Sequence, residues 1–253
     1  GTTWGTTKDT MAAGSRGAMI IRTDGTLWSW GYNSSGQVGD NSKTQRSSPI
    51  QVPGTWDPMK TVGGRNTTMA TKSGSQLWMW GDNDYGMLGN NKAGYFNSRS
   101  SPTQLSGAWK SDGLYAGYEH IGGIKSNDTL FMWGRNEVGQ LGQNAKADAS
   151  SPIQIPGTWD MINGTNSQSL GIKSDGTLWS WGNNSRGKLG LNTPESSAVS
   201  SPVQIGTETT WDFVHTNNYN TCFGIKTDGT LWSWGENYDG ILGLRQPTNS
   251  HKS

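Results

Sequence analysis

Apolar and polar residues alternate in short bursts along this chain. "AMIIR" (18–22) and "TLWSWG" (26–31) flank Thr23-Asp24-Gly25, and Asp-Gly tolerates the positive φ of a tight reversal, so the pair predicts a β-hairpin. Alternation in the second strand puts Trp28 and Trp30 on one face and Leu27 on the other. Both faces are apolar, which predicts a strand covered on both sides. "SPIQV" (48–52) begins with proline, as a strand's first residue can. The segment after Trp56 ends at "VGG" and reads as a further strand.

This pattern recurs. "DGTLWSWG" stands at 24–31, 175–182 and 228–235, with imperfect copies "SGSQLWMWG" (73–81) and "SNDTLFMWG" (126–134). The second aromatic falls at Trp30, Trp80, Trp133, Trp181 and Trp234, a period near fifty. Each copy leads into N-x-x-G-x-[LV]-G, and four are followed by S-S-P-x-Q. A Gly-rich turn then precedes another Trp, at Trp4, Trp56, Trp109, Trp159 and Trp211. Three columns of five give fifteen sites, of which the 14 tryptophans fill all but Phe131. A fully periodic set is structural: Trp28, Trp30, Trp78, Trp80, Phe131, Trp133, Trp179, Trp181, Trp232 and Trp234 are the expected core. Each ring buries about 150–250 Å², a gross gain of roughly 4–6 kcal/mol. Four antiparallel strands per repeat, apolar on both faces, predict an all-β fold: a β-propeller of five four-stranded blades. The chain (1–253) reads as one domain, with repeats near 1–47, 48–100, 101–150, 151–200 and 201–253.

Composition narrows the function classes. Hydrophobic residues make up 31%, charged residues 15%, and glycine 37 positions, but the tryptophans argue against disorder. A net charge of +1 recruits neither nucleic acid nor an anionic membrane. Cys222 is the only cysteine, which excludes an internal disulfide or a Cys-based zinc site. No apolar run approaches a membrane span. The histidines His120, His215 and His251 fit no metal spacing, and no G-x-S-x-G elbow occurs. No enzyme, cofactor or metal is expected. "DNDYG" (82–86) and "ENYDG" (236–240) are copies of the N-x-x-G turn rather than calcium loops.

S-P-x-Q, K-[ST]-D-G-x-L-W-x-W-G and N-x-x-G-x-L-G together resemble the regulator of chromosome condensation repeat across essentially the whole chain. Members of that family are typically seven-bladed propellers. Here the S-P-x-Q strand occurs four times and the other strands five times. Either five blades close with one strand short, or the chain is a stretch of a longer propeller; the family's usual blade number favours the second.

The strand order sends the monotonous "PGTW" and "DG" turns to one end of the blades and the variable segments to the other. The variable loops include "DNSKTQR" (40–46) and "NNKAGYFNSR" (90–99); the variable turns include "GSRG" (14–17) and "GYEH" (117–120). Divergence confined to one surface marks it as the place where specificity can be written. The resemblance implies the same, since relatives use that face for partners. The expected partner-binding residues are Arg16, Arg65, Asn66, Tyr95, Phe96, Arg99, Tyr118, Glu119, His120, Asn166, Tyr219 and Asn220. The turn histidine frequent in the family is replaced here by Arg16, Asn66, Glu119, Ser167 and Asn220. A basic column, Arg22, Lys72, Lys125, Lys173 and Lys226, is expected as a solvated ring at the opposite end.

The leading reading is a non-catalytic binding or structural propeller that meets a protein or glycan, within a larger assembly. Its low charge and Ser/Thr/Asn richness suit an extracellular, cell-surface or virion setting. The alternatives are guanine-nucleotide exchange on a small GTPase, the activity of the family's namesake, and inhibition of an enzyme by aromatic loops.

Overall fold

The computed structural model describes residues 11–13, 16–57, 62–63, 65–165, 167–217, 220–245 and 250–252. Strands β1 (Met11–Ala13), β2 (Gly17–Ile21), β3 (Leu27–Gly31) and β4 (Arg46–Val52) form blade 1. Blade 2 comprises β5 (Val62–Gly63), β6 (Thr67–Lys72), β7 (Gln76–Gly81) and β8 (Arg99–Leu105). Blade 3 takes β9 (Trp109–Ala116), β10 (His120–Lys125), β11 (Thr129–Gly134) and the first part of β12 (Ala149–Gly164). The end of β12 begins blade 4, with β13 (Gln168–Lys173), β14 (Leu178–Asn183) and β15 (Ala198–Gln204). Blade 5 holds β16 (Trp211–Thr216), β17 (Thr221–Lys226), β18 (Leu231–Asn237) and β19 (Ser250–Lys252). All pairings are antiparallel, and the first strands of successive blades pack on one another, β5 on β9 and β12 on β16. The fold is a β-propeller.

Two details differ from the sequence reading. The S-P-x-Q strand pairs with the hairpin before it, as in Leu27 opposite Val52, so each sheet runs one strand out of phase with the repeat. The fifth blade also has a fourth strand: β19 pairs with β18, Gly235 opposite Lys252, without the S-S-P-x-Q signature.

The invariance of the octet has a local cause. Asp24 Oδ1 accepts hydrogen bonds from the Thr26 amide (2.9 Å) and hydroxyl (2.6 Å), and Thr26 Oγ1 accepts from the Trp28 indole at 3.0 Å. Asp175, Thr177 and Trp179 repeat this relay, as do Asp228, Thr230 and Trp232. The imperfect copies depart from it in two ways. Where Gln76 replaces threonine, the buried Trp78 Nε1 is left without a partner. Where Phe131 replaces tryptophan, no N–H needs one.

From blade 2 onward, the second tryptophan of the octet reaches back to the preceding blade. The indoles of Trp80, Trp133, Trp181 and Trp234 donate to the carbonyls of Gln37, Met87, Gln140 and Lys188, at 2.9, 2.7, 2.8 and 3.0 Å. These buried bonds, with the packed rings, weld blade to blade.

The basic column is not a solvated ring. Lys72 Nζ lies 4.1 and 4.2 Å from the ring centroids of Trp56 and Trp78. Lys173 sits likewise between Trp159 and Trp179, and Lys226 between Trp211 and Trp232. Each ammonium is clamped between two faces, an attraction of about 0.5–2 kcal/mol per ring. Alternation explains the clamp, because the lysine ends the strand paired with both aromatic-bearing strands.

Four of the ten expected core aromatics are buried, Trp234 among them at 8% exposed. Trp80, Trp133 and Trp181 are inaccessible, whereas Trp28, Trp30, Trp78, Phe131 and Trp179 are partly covered. Trp232 departs most, at 48% exposed, because no following blade lies over its hairpin among the described residues.

Candidate functional site: the loop face

The turns between first and second strands and the loops between third and fourth strands share one end of the propeller. Backbone bonds tie them together: Tyr32 N donates to Arg16 O, Arg135 N to Glu119 O and Glu236 N to Asn220 O. Under each loop lies the buried asparagine of N-x-x-G. The Asn33 side-chain oxygen accepts the Val38 amide (2.9 Å), and its amide nitrogen donates to the carbonyls of Ser42 and Thr44. Asn136 does the same with Leu141, Ala145 and Ala147. The anchor grips main chain, and some loop side chains add to it: Asp40 accepts from Ser42 and Arg46, and Asp148 accepts the Asn136 amide.

The residues expected to bind a partner fall into separate groups. In the first, Glu119 receives Arg65 at 3.0 Å and Arg135 more closely, while Arg135 also reaches Glu137 at 2.7 Å. The Arg65 guanidinium lies 4.5 Å from the Tyr118 ring centroid, and that of Arg135 lies 4.8 Å from the Tyr85 centroid. Two arginines therefore sit over two tyrosines, held at fixed spacing by one nearly buried carboxylate. Beside them the carboxyl of Asp84 is raised above its usual range, chiefly by burial and then by Asp82. Tyr85 and Arg135 were missed. Their signal was available: the positions after W-G and inside N-x-x-G differ from copy to copy.

The second group is the 3-10 turn Tyr95–Asn97. Tyr95 and Phe96 meet edge to face at 5.5 Å, Lys43 Nζ stands 5.4 Å from the Tyr95 centroid, and Phe96 is 94% exposed. Arg99 is drawn back onto its own loop, toward the carbonyls of Asn97 and Ser98. Arg16 lies over Tyr32 at 5.2 Å and lines a narrow cleft with Arg65 and Asn66.

Other expected residues have inward roles. Asn66 Oδ1 accepts from Gln37 Nε2 (3.1 Å), and Asn220 Oδ1 from Lys188 Nζ (2.9 Å). Both seat the preceding blade's loop. Asn166 and Tyr219 lie outside the described residues, as does Trp4.

His120 is a correction: it is fully buried rather than presented on the face. It begins β10, where alternation turns its ring inward. Its Nε2 lies 3.2 Å from Ser169 Oγ and 3.4 Å from Tyr115 Oη. Ser169 and Tyr115 already donate to the carbonyls of Gln140 and Thr165, so His120 Nε2 carries the proton. Burial holds its pKa down to about 3, with the nearby Lys188 charge acting in the same direction. The folded pKa lies below the unfolded value of about 6.5. His120 is therefore neutral in the fold, and its contribution is complete above about pH 6.5 and lost as pH falls towards 3. We expect unfolding titrations of the wild type to lose about 2 kcal/mol between pH 6.5 and 5, and those of His120→Gln to lose little over the same interval.

Profiles for the regulator of chromosome condensation (RCC1) repeat match residues 24–71, 127–161 and 175–215, and a second profile for that repeat matches residues 9–37. The chain belongs to the RCC1 repeat family. The ultraviolet-B receptor UVR8 of Arabidopsis thaliana is 27% identical over 155 residues, covering 57% of this chain and 33% of the receptor. Among solved structures, yeast RCC1 (Prp20) with bound Kap60 matches with a TM-score of 0.81 and 18% identity, over 96% of this chain and 59% of that one. Human WBSCR16 matches with a TM-score of 0.77 and 20% identity, over 96% and 64%. A structure of Prp20p from Saccharomyces cerevisiae, described with its binding to Gsp1p and histones, matches with a TM-score of 0.70 and 19% identity, over 81% and 52%. This RCC1-repeat chain thus spans one third of the curated relative and roughly six-tenths of the two structures it matches most fully.

Proposed function

We propose that this RCC1-repeat propeller is a non-catalytic binding module whose loop face meets a protein partner. One observation supports the reading: two separate groups of aromatic and cationic side chains, Phe96 with Tyr95 and Tyr118 with Arg65, lie on the end where the repeats diverge. Aromatic and arginine side chains dominate protein interface energetics, and a rigid ring on a fixed loop loses little entropy on binding. The solved relatives offer support by analogy: yeast RCC1 is seen with Kap60 bound, and Prp20p is described with its binding to Gsp1p and histones.

The test is a partner captured by the wild type and measured against variants. Phe96→Ala combined with Tyr118→Ala is expected to weaken binding about 30-fold or more, while Lys110→Ala, outside the loop face, leaves it unchanged. Equal affinity for the double variant and the wild type would remove the loop face from the proposal. A nucleotide-release assay on a Ran-like GTPase covers the exchange reading, which acceleration of release by the wild type would promote.

A further inference from the structure

The first strand of each blade ends at the loop face, and the pairing registers make the last two positions of those strands equivalent. They hold Ala12-Ala13, Val62-Gly63, Tyr115-Ala116, Asn163-Gly164 and His215-Thr216. Blade 4 alone places asparagine before glycine there, and this is the one Asn-Gly pair in the sequence. The glycine has a packing reason: a Cβ at 164 would run into the Gln168 carbonyl and stand 2.8 Å from the Tyr115 hydroxyl. The asparagine brings chemistry that its counterparts lack.

The Gly164 amide donates to Asn163 Oδ1, the side-chain oxygen of the residue before it, at 2.7 Å. That contact folds the asparagine back on its own main chain, so Cγ, bonded to Oδ1, is brought close to the same nitrogen. A bond between that nitrogen and Cγ would close a five-membered ring through C, Cα and Cβ. Holding two reacting groups together in this way removes much of the entropic part of a barrier, and glycine has no side chain to block the approach. A second group is aimed at the same place from blade 5. The Thr216 hydroxyl donates to the Gly164 carbonyl at 2.6 Å and lies 3.4 Å from Asn163 Oδ1. It stands where it can stabilise negative charge as that charge develops on Oδ1.

We propose that Asn163-Gly164 is a modification site at which the chain converts its own asparagine to aspartyl and isoaspartyl residues, with Thr216 assisting. The Gly164 nitrogen gives its proton to hydroxide from solvent and attacks Cγ. The Cγ–Nδ2 bond breaks, and the amide nitrogen takes a proton from water and leaves as ammonia. Water then opens the cyclic imide: attack at Cγ gives the aspartyl residue, and attack at the main-chain carbonyl gives the isoaspartyl one. Nothing is oxidised or reduced, and water is the only co-reactant. Either product sets a carboxylate beside Thr216 where a neutral amide stood. The isoaspartyl form also adds a methylene to the main chain of β12, against a register that pairs Asn163 with Leu170 and Gly164 with Ser169. The result is a one-way change of charge and spacing where blades 4 and 5 meet, independent of any partner on the loop face.

Peptide mapping by mass spectrometry tests this on the whole chain, kept folded at mildly alkaline pH. The tryptic peptide 147–173 is expected to split into aspartyl and isoaspartyl forms, each heavier by the exchange of NH2 for OH. An unfolded synthetic peptide of the same sequence sets the reference rate, which the folded chain should match or exceed. The rate climbs with pH, because the attacking amide must lose its proton. Asn163→Gln stops the change, since its longer side chain does not close the five-membered ring. Thr216→Val slows it several-fold and Thr216→Ser restores it, with circular dichroism confirming that both variants are folded. Asn33, whose side chain is tied to main chain through both its oxygen and its nitrogen, stays intact in the same digest. A folded chain that keeps Asn163 intact, or converts it more slowly than the peptide does, overturns the proposal, because the fold then protects the pair. Equal rates in the wild type and Thr216→Val overturn the role given to Thr216.

Discussion

Trp181→Ala lowers stability by about 3–5 kcal/mol in chemical denaturation. The ring is inaccessible and packs against Trp159 at 5.7 Å, and its indole N–H donates at 2.8 Å to the Gln140 carbonyl across the junction of blades 3 and 4. Removal opens a cavity that the neighbouring strands cannot close, since β13 and β14 are fixed in register by their ladder. It also leaves the Gln140 carbonyl with only the Ser169 hydroxyl, at 2.8 Å. Trp181→Phe keeps most of the packing and loses the bond, so it should cost distinctly less than alanine. In a repeat array stability is a sum of unit and junction terms. The unfolding curve of Trp181→Ala should therefore broaden as blades 4 and 5 separate from the rest. A sharp transition with an unchanged midpoint would show that this junction does not hold the array together.

The second large effect is Gly139→Ala, expected to cost about 2–5 kcal/mol by combining backbone strain with overpacking. Gly139 has φ +82°, and a Cβ placed there would stand 2.5 Å from Ser200 Cα and 2.7 Å from Ser200 Cβ in the next blade. A clash with backbone cannot be relieved by turning a side chain. Gly74 is the control: its φ is +77°, and a Cβ there would meet nothing within 4 Å. Gly74→Ala should cost about 1 kcal/mol from strain alone. Equal losses at the two positions would mean that conformation, rather than the approach of Ser200, selects glycine in the N-x-x-G column. Gly139 and Trp181 serve the same junction, so their combined loss should fall short of additive.

The sequence made the blades legible because their determinants are local and periodic. Two-residue alternation in "TLWSWG" sorted Trp28 and Trp30 from Leu27, and the fifty-residue beat implied neighbours of like kind. Pairing between distant segments was less visible. Nothing in S-S-P-x-Q says whether it joins the hairpin before it or the strand after it, and β19 pairs with β18 without carrying that signature. Divergence among copies singled out the loop face as the candidate surface, but gave no sign of the inward turn of His120. A histidine at the edge of a turn looks like a surface residue until the register places it on the core side. The clamped lysines were misjudged for a related reason: a charge before a turn suggests solvent, and only the three-strand register shows aromatic rings on both sides.

The asparagine anchor beneath each loop separates seating the loop from the identity of the residues it holds. Asn33 and Asn136 hold the carbonyls of residues that could be almost anything, since every residue brings a carbonyl. Exchanges above such an anchor keep its main-chain bonds, so the residues whose carbonyls it holds can change while the loop stays seated. That would make this end a natural platform for diversification, and a practical one for grafted libraries.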